Sequence, residues 1–172
     1  MCIRDSRWRD LAEKDGLEIT ESEIALEAEV KVGATSLVVS GHTDLAVRDA
    51  EGAAHLIELK TGAWMPHGAM LQIAVCAWLW RVCRDDDMDK AGMVWIPRDA
   101  TAPPMRLYRD ASDMADAGAA FVMRIAREHA ADDLSTTPGS HCYKCLVQDC
   151  PVRSTELLSS LYTDSVDADA LC

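Results

Sequence analysis

Asp44, Glu58 and Lys60 are the residues of this chain whose types and spacing could do chemistry. They stand in Gly41-His42-Thr43-Asp44 and Ile57-Glu58-Leu59-Lys60-Thr61-Gly62, two stretches that read as neighbouring strands. Side chains alternate along a strand, so Glu58 and Lys60 project to one face, roughly 6 to 7 Å apart along the backbone. A carboxylate in an apolar strand is costly unless a cation or polar partner meets it. Two carboxylates and an ammonium at one sheet edge suit a divalent-metal site that cuts phosphodiesters. The acids hold the ion, and the ammonium steadies the attacking water or the developing charge. Gln72, the polar exception in an apolar helix candidate, calls for a polar partner of its own.

A second cluster is His141-Cys142-Tyr143-Lys144-Cys145, followed by Cys150-Pro151. Cys-x-x-Cys with a third Cys close behind makes a compact loop for a soft metal or an iron–sulfur cluster. Three thiols on polar, unpacked sequence have no core role to play instead.

The elements that must position these residues follow from periodicity. Ile24, Leu26, Ala28, Val30 and Val32 alternate with polar or small residues, which predicts a half-buried strand. Gly33-Ala34-Thr35 is the turn, and Leu37 to Arg48 forms the strand carrying Asp44. Asp49-Ala50-Glu51-Gly52 closes the next hairpin, and Ala54 to Lys60 is the third strand, ending at Thr61-Gly62. Short loops between successive strands imply an antiparallel meander. Gly68 to Cys83 is apolar nearly all round and predicts a helix buried on more than one side. Gly92 to Pro97 reads as a fourth strand and Met105 to Tyr108 as a fifth. Ser112 reads as the N-cap of a helix running to about Asp133 and burying Met114, Phe121, Val122 and Ile125. Trp8 to Lys14 reads as the end of a helix stopped near Gly16. Met1 to Ser6 has no usable periodicity, so residues 1–20 are read as a truncated or non-native edge, Cys2 included. The expected organisation is that edge, a core over 21–134, the cysteine cluster over 135–153 and a polar tail over 154–172.

A chain of 172 residues, 49% hydrophobic, has room for one domain with a real core and not for two. No apolar run reaches membrane-span length, and no basic start with an apolar middle marks a signal peptide. Seven cysteines, three of them clustered, therefore argue for metal ligation in a reducing, cytoplasmic compartment rather than a disulfide scaffold. Charge points the other way from a generic DNA binder: 17 Lys plus Arg against 29 Asp plus Glu give −12, where a basic stripe is the usual footprint. Bound cations offset part of that charge locally, and a partner could supply the rest.

Gly-x-x-Asp, then Glu-Leu-Lys-Thr-Gly, then a Gln opening an apolar helix resembles the RecB-like branch of the PD-(D/E)XK nuclease superfamily, over roughly residues 24 to 153. The resemblance implies an α/β restriction-endonuclease-like fold: the meander, a helix and further strands in a mixed sheet. It implies a deoxyribonuclease, an exonuclease acting on DNA ends, in which Asp44 and Glu58 bind Mg²⁺ or Mn²⁺ and the Leu59 carbonyl completes the shell. Lys60 would orient or activate water, and Gln72 would contact substrate or support the site. Where the family has Gln-x-x-x-Tyr, this chain has Cys76 in the Tyr position. The family's N-terminal helix with an acidic residue or His is not visible here, and Glu27 or Glu29 is the stand-in.

The cysteine trio resembles that of RecB-like exonucleases with a 4Fe–4S cluster, CRISPR-associated members included. This implies Cys142, Cys145 and Cys150 as cluster ligands, with zinc as the alternative metal. A fourth ligand stays open among Cys2, His141, Cys76, Cys83 and Cys172; Cys76 and Cys83 read as core packing. DNA is the implied partner, with a helicase, recombination or CRISPR protein beside it, and no membrane. The rival reading is a catalytically decayed nucleic-acid-binding or metal-stapled interaction module in a phage or repair complex. His42 reads as a structural or neighbouring group on Asp44's strand face. Trp64 is a base-stacking candidate, and Arg81, Arg84 and Lys144 are phosphate-contact candidates. His55 and His67 flank the site without a role.

Overall fold

The structure, a computed structural model, describes residues 3–63, 69–99 and 101–131. Within them the order is α1 (Ile3–Lys14), β1 (Glu18–Val32), β2 (Thr35–Arg48), β3 (Ala54–Gly62), α2 (Ala69–Cys83), β4 (Lys90–Pro97), β5 (Met105–Asp110) and α3 (Ala111–Ala130). The five strands form one sheet in sequence order. β1, β2 and β3 are the expected antiparallel meander. β4 then runs parallel to β3, because α2 carries the chain back across one face, as a parallel pair requires. β5 returns antiparallel on β4, so the sheet is mixed.

Each face has its own core. Ile24, Leu26, Ala46, Leu56 and Met93 pack against Ile73, Leu79 and Trp80 of α2 and Met114 of α3. Leu45, Val47, Ile57, Val94 and Ile96 pack on the other face with Leu11 of α1. Coverage on both sides explains why burial is continuous along the first part of β3 and most of β4 rather than alternating.

Several boundaries differ from the sequence expectation, each for a physical reason. α1 ends at Lys14 as expected and begins at Ile3, inside the stretch that shows no usable periodicity. It is too polar to show an apolar stripe, but Leu11 and Ala12 are buried and the Arg7 guanidinium donates to the carbonyls of Pro97 (2.7 Å) and Ala102 (2.5 Å). Gly16, at φ +62°, ends the helix in the left-handed conformation that glycine tolerates. β1 starts at Glu18 rather than Ile24, and its first residues are exposed, so pairing with β2 and not burial holds them. The N-cap of α3 is Asp110, not Ser112. Its carboxylate accepts from the amides of Ser112 (2.9 Å) and Asp113 (3.1 Å), and the helix stops at Ala130. Met114 and Val122 are buried as expected, whereas Phe121 is half-buried and Ile125 is 41% exposed. Cys76 is core, but Cys83 is exposed at the end of α2 and donates to the Glu27 carbonyl at 3.2 Å.

Candidate active site

The antiparallel ladder between β2 and β3 is recorded from Arg48↔Ala54 to Leu45↔Ile57 and stops there. Beyond that point the two strands part, and the opening is where Asp44 and Glu58 lie. Asp44 holds the edge of the opening: its Oδ2 accepts from the Leu59 amide at 2.6 Å, in place of a strand partner. Thr43, buried beside it, reaches the Ile57 carbonyl at 3.5 Å.

How Asp44 comes to face this opening is visible in the alternation of β2. A side chain on Gly41 would meet Leu79 and Cys76, so Gly41 faces α2; Ala46 belongs to the same core. An odd number of steps separates the two, so the period-two pattern slips once between them. The facing residue of β1, Glu23, between the pairs Ser22↔Leu45 and Ile24↔Thr43, has φ +53°, a conformation uncommon outside glycine. Strain of this kind gathers at functional sites.

Glu58 is 5% exposed on the α2 face of β3, and two donors converge on one of its oxygens. Lys60 Nζ lies 2.5 Å from Oε1, and Gln72 Nε2 donates to the same oxygen at 2.7 Å. Lys60 Nζ also donates to Gln72 Oε1 at 3.0 Å, closing a three-membered network. Gln72 is exposed rather than enclosed by the helix packing, yet both ends of its amide are used. The sequence-predicted Asp44, Glu58, Lys60 and Gln72 are thus brought together, with Leu59 joined to them through its amide.

Cys76 is one turn further along α2. Its thiol donates to the His42 carbonyl at 3.4 Å. Burial, reinforced by the negative charges of Glu58 and Asp44, pushes it up to about 11, so it stands beside the acids as a neutral thiol. His42 is exposed, on the wall of a cleft that also includes Gln72 and Cys76.

Among the described residues, no hydrogen bond falls on Asp44 Oδ1 or Glu58 Oε2, and no third His, Cys, Asp or Glu joins them as a metal-binding group. Two carboxylates with spare oxygens, a nearby backbone carbonyl and water fit a hard divalent cation, which takes oxygen ligands. Soft metals prefer sulfur ligands, and the two carboxylates offer oxygen alone.

Other sequence candidates are placed elsewhere. Glu29 accepts from Ser36 and pairs with Lys31 at 3.2 Å, at the far end of the β1–β2 hairpin, and Glu27 is exposed on the same strand; neither stands in at the site. Arg81 pairs with Asp116 and Arg84 with Glu21, each at 2.7 Å, so their charges are already engaged. His55 is buried at the opposite end of β3, 2.8 Å from Asp49 and edge-on to Tyr108. Cys2, Trp64, His67, His141, Cys142, Lys144, Cys145, Cys150 and Cys172 lie outside the described residues.

A mixed α/β sheet with acidic residues and a lysine where two central strands diverge defines a nuclease-type core. The family model of the PD-(D/E)XK nuclease superfamily matches residues 3–155, and the chain belongs to that superfamily. Its members are metal-dependent nucleases that usually use Mg²⁺ or Mn²⁺. The structure is also similar to a solved one described as the crystal structure of SSO0001. The TM-score is 0.55 at 18% identity, covering 89% of this chain and 68% of that one, a likeness of fold. No curated protein matches the sequence. No helix among the described residues is long and apolar enough to cross a membrane.

Proposed function

We propose that the protein is a Mg²⁺- or Mn²⁺-dependent deoxyribonuclease of the RecB-like branch, an exonuclease working from DNA ends. The observation that carries this reading is the closed network of Glu58, Lys60 and Gln72 beside Asp44. Asp44, Glu58 and the Leu59 carbonyl would hold the cation. When bound, the ion polarises a phosphoryl oxygen and makes its water a nucleophile near neutral pH. Lys60 contributes the nearest positive charge to the attacked phosphate and a donor for the incoming water. Gln72 gives Lys60 and Glu58 a second partner each, which fixes the ammonium beside the carboxylate. The Cys76 thiol cannot replace a tyrosine hydroxyl as a strong donor to substrate, so Gln72 is left with that contact.

Cys142, Cys145 and Cys150 are proposed as ligands of a 4Fe–4S cluster, with zinc as the alternative, in a cytoplasmic protein whose partner is a helicase, recombination or CRISPR component. A visible absorbance band from anaerobically purified protein separates iron–sulfur from zinc. The net charge of −12 favours one rival, a decayed DNA-binding or interaction module. Linear and covalently closed circular DNA incubated with Mn²⁺ discriminate among these readings. Release of nucleotides from the linear form alone supports the exonuclease. Nicking of the circle overturns the end-directed part, and no cleavage of either supports the rival.

A further inference from the structure

The ladder between β2 and β3 ends at Leu45, so among the described residues the half of β2 from Thr35 to Asp44 is paired on its β1 side alone. Its open edge carries backbone groups that still need partners. Two thiols show which residues present them. Cys76 donates to the His42 carbonyl and Cys83 to the Glu27 carbonyl, so both carbonyls point away from the β1–β2 ladder. Glu27 faces Ser40 across that ladder, and the period of two turns the N–H and C=O of Ser36, Val38 and Ser40 outward as well. The outer edge of β1 is protected. Cys83 and Arg84 reach it from the end of α2, and Glu27, Glu29 and Lys31 line its solvent face. The open half of β2 has no such device: Thr35 to Thr43 contains no Asp, Glu, Lys, Arg or Pro. Val38, on its solvent face, is 65% exposed, the most exposed large hydrophobic side chain among the described residues. On the other face a cleft of about 140 Å³ lies between β2 and α3, lined by apolar side chains that include Leu37, Val39, Phe121 and Ile125.

The sequence of this edge is close to symmetric. Ser36-Leu37-Val38-Val39-Ser40 reads nearly alike in both directions. An antiparallel copy centred on Val38 sets Ser36 against Ser40, Leu37 against Val39 and Val38 against itself. The outward groups of Ser36, Val38 and Ser40 then exchange roughly six backbone hydrogen bonds across a two-fold axis. Leu37 and Val39 of the second copy fall on the face of the apolar cleft, where Ile125 is 41% exposed. The geometry points to a homodimer in which the open half of β2 pairs with the same segment of a second copy, joining the two five-stranded sheets into one. A strand of another protein would gain the same backbone bonds, but the symmetry of the segment and its lack of charge favour a second copy. Pairing through β1 would instead bring Glu27 and Glu29 of the two copies together. The net charge of −12 on each copy opposes approach at long range, so the dimer tightens as salt is added, the reverse of DNA binding.

Sedimentation velocity of the full chain over roughly a hundredfold range of concentration reads the association, with a Kd on the order of micromolar expected for so small an interface. Val38→Lys sets like charges opposite each other at the axis and should weaken the dimer by roughly tenfold or more. Val38→Glu should do the same. An equimolar mixture of the two variants should regain the dimer, because opposite charges then meet at the axis. Val38 is exposed in the single chain, so both variants should melt at the wild-type temperature when dilute, which excludes a folding defect. A wild-type chain that is monomeric throughout overturns the proposal and leaves the edge to an extended segment of another protein. A dimer that Val38→Lys leaves intact, or a mixture that stays monomeric, overturns it too, as does a dimer that loosens when salt is added.

Discussion

Lys60 and Glu58 stand two positions apart on β3 and meet through a 2.5 Å contact between Nζ and Oε1. The strand's period puts them on one face, and the α2 helix delivers Gln72 to both. Glu58 is buried, so it depends on these donors for more than geometry.

Removing the ammonium leaves that carboxylate with one remaining partner. Lys60→Ala is expected to destabilise the metal-free protein by about 1–2 kcal/mol, the cost of an under-satisfied buried acceptor, reduced because the Lys60 side chain is 26% exposed. Glu58→Gln in the Lys60→Ala background should recover part of that loss. Urea midpoints of the two single variants and the double variant measure the coupling; additive losses would contradict it.

Divalent cations should raise the melting temperature of wild type, since an ion bound by the native state contributes about 2.7 kcal/mol at a hundred times its Kd. Asp44→Asn keeps an oxygen for the Leu59 amide and removes only the charge. Its metal-free Tm should therefore stay near wild type while the Mn²⁺-induced shift falls away. Thermal scans with and without Mn²⁺ read both quantities, and an undiminished shift would refute Asp44 as a ligand.

Glycines that allow the helices to close on the site differ in what a methyl group would meet. On Gly118 it would lie 2.0 Å from the Ala74 carbonyl, a backbone atom that cannot yield without parting α3 from α2. On Gly41 it would lie 2.9 Å from the end of the Leu79 side chain, which can move. Gly118→Ala should cost roughly 3 kcal/mol or more and Gly41→Ala about 1 kcal/mol in denaturant unfolding. A reversed order would show that α2 and α3 are not packed as described.

Cys76 predicts an alkaline limit. Its thiol is raised by burial and by the neighbouring acids from 9.0 to about 11, so the fold prefers the protonated form. The corresponding stability is full below pH 9.0 and is lost as pH rises toward about 11. Tyr108, raised by burial from 10.0 to about 12, adds its own loss only above pH 10.0. Between pH 9 and 10 the decline should therefore belong to Cys76 and flatten in Cys76→Ala, followed by chemical denaturation across that range.

Much of this architecture was legible because the first strand alternates with period two, short turns join the meander, and α2 and the fourth strand are apolar runs bounded by polar or turn residues. Asp44, Glu58, Lys60 and Gln72 stood out for a related reason: polar groups in apolar elements need partners, and Glu58, Lys60 and Gln72 find one another while Asp44 takes the Leu59 amide. Other features leave no such trace. α1 is polar along most of its length and is held by Arg7 donating to backbone carbonyls far along the chain. The start of β1 is exposed on all sides, so no alternation marks it. Asp110 caps α3 from the last position of β5, two residues before Ser112, which reads as the cap in the sequence. The slip in β2 that turns Asp44 into the opening lies opposite Glu23, at φ +53°, between the pairs Ser22↔Leu45 and Ile24↔Thr43, and no local pattern announces it. Phe121 reads as an ordinary core position in an amphipathic helix, and only the arrangement of α2 against β2 leaves it half-buried beside a cleft.

The most direct test is Mn²⁺-dependent release of nucleotides from end-labelled linear DNA by wild type, Glu58→Gln and Lys60→Ala, each checked for folding by circular dichroism. The account predicts activity in wild type that chelation abolishes and that each substitution lowers by roughly a hundredfold or more, the scale for loss of one charge-stabilising group. Folded Lys60→Ala protein cutting at the wild-type rate, or wild-type cleavage that persists in chelator, would contradict it.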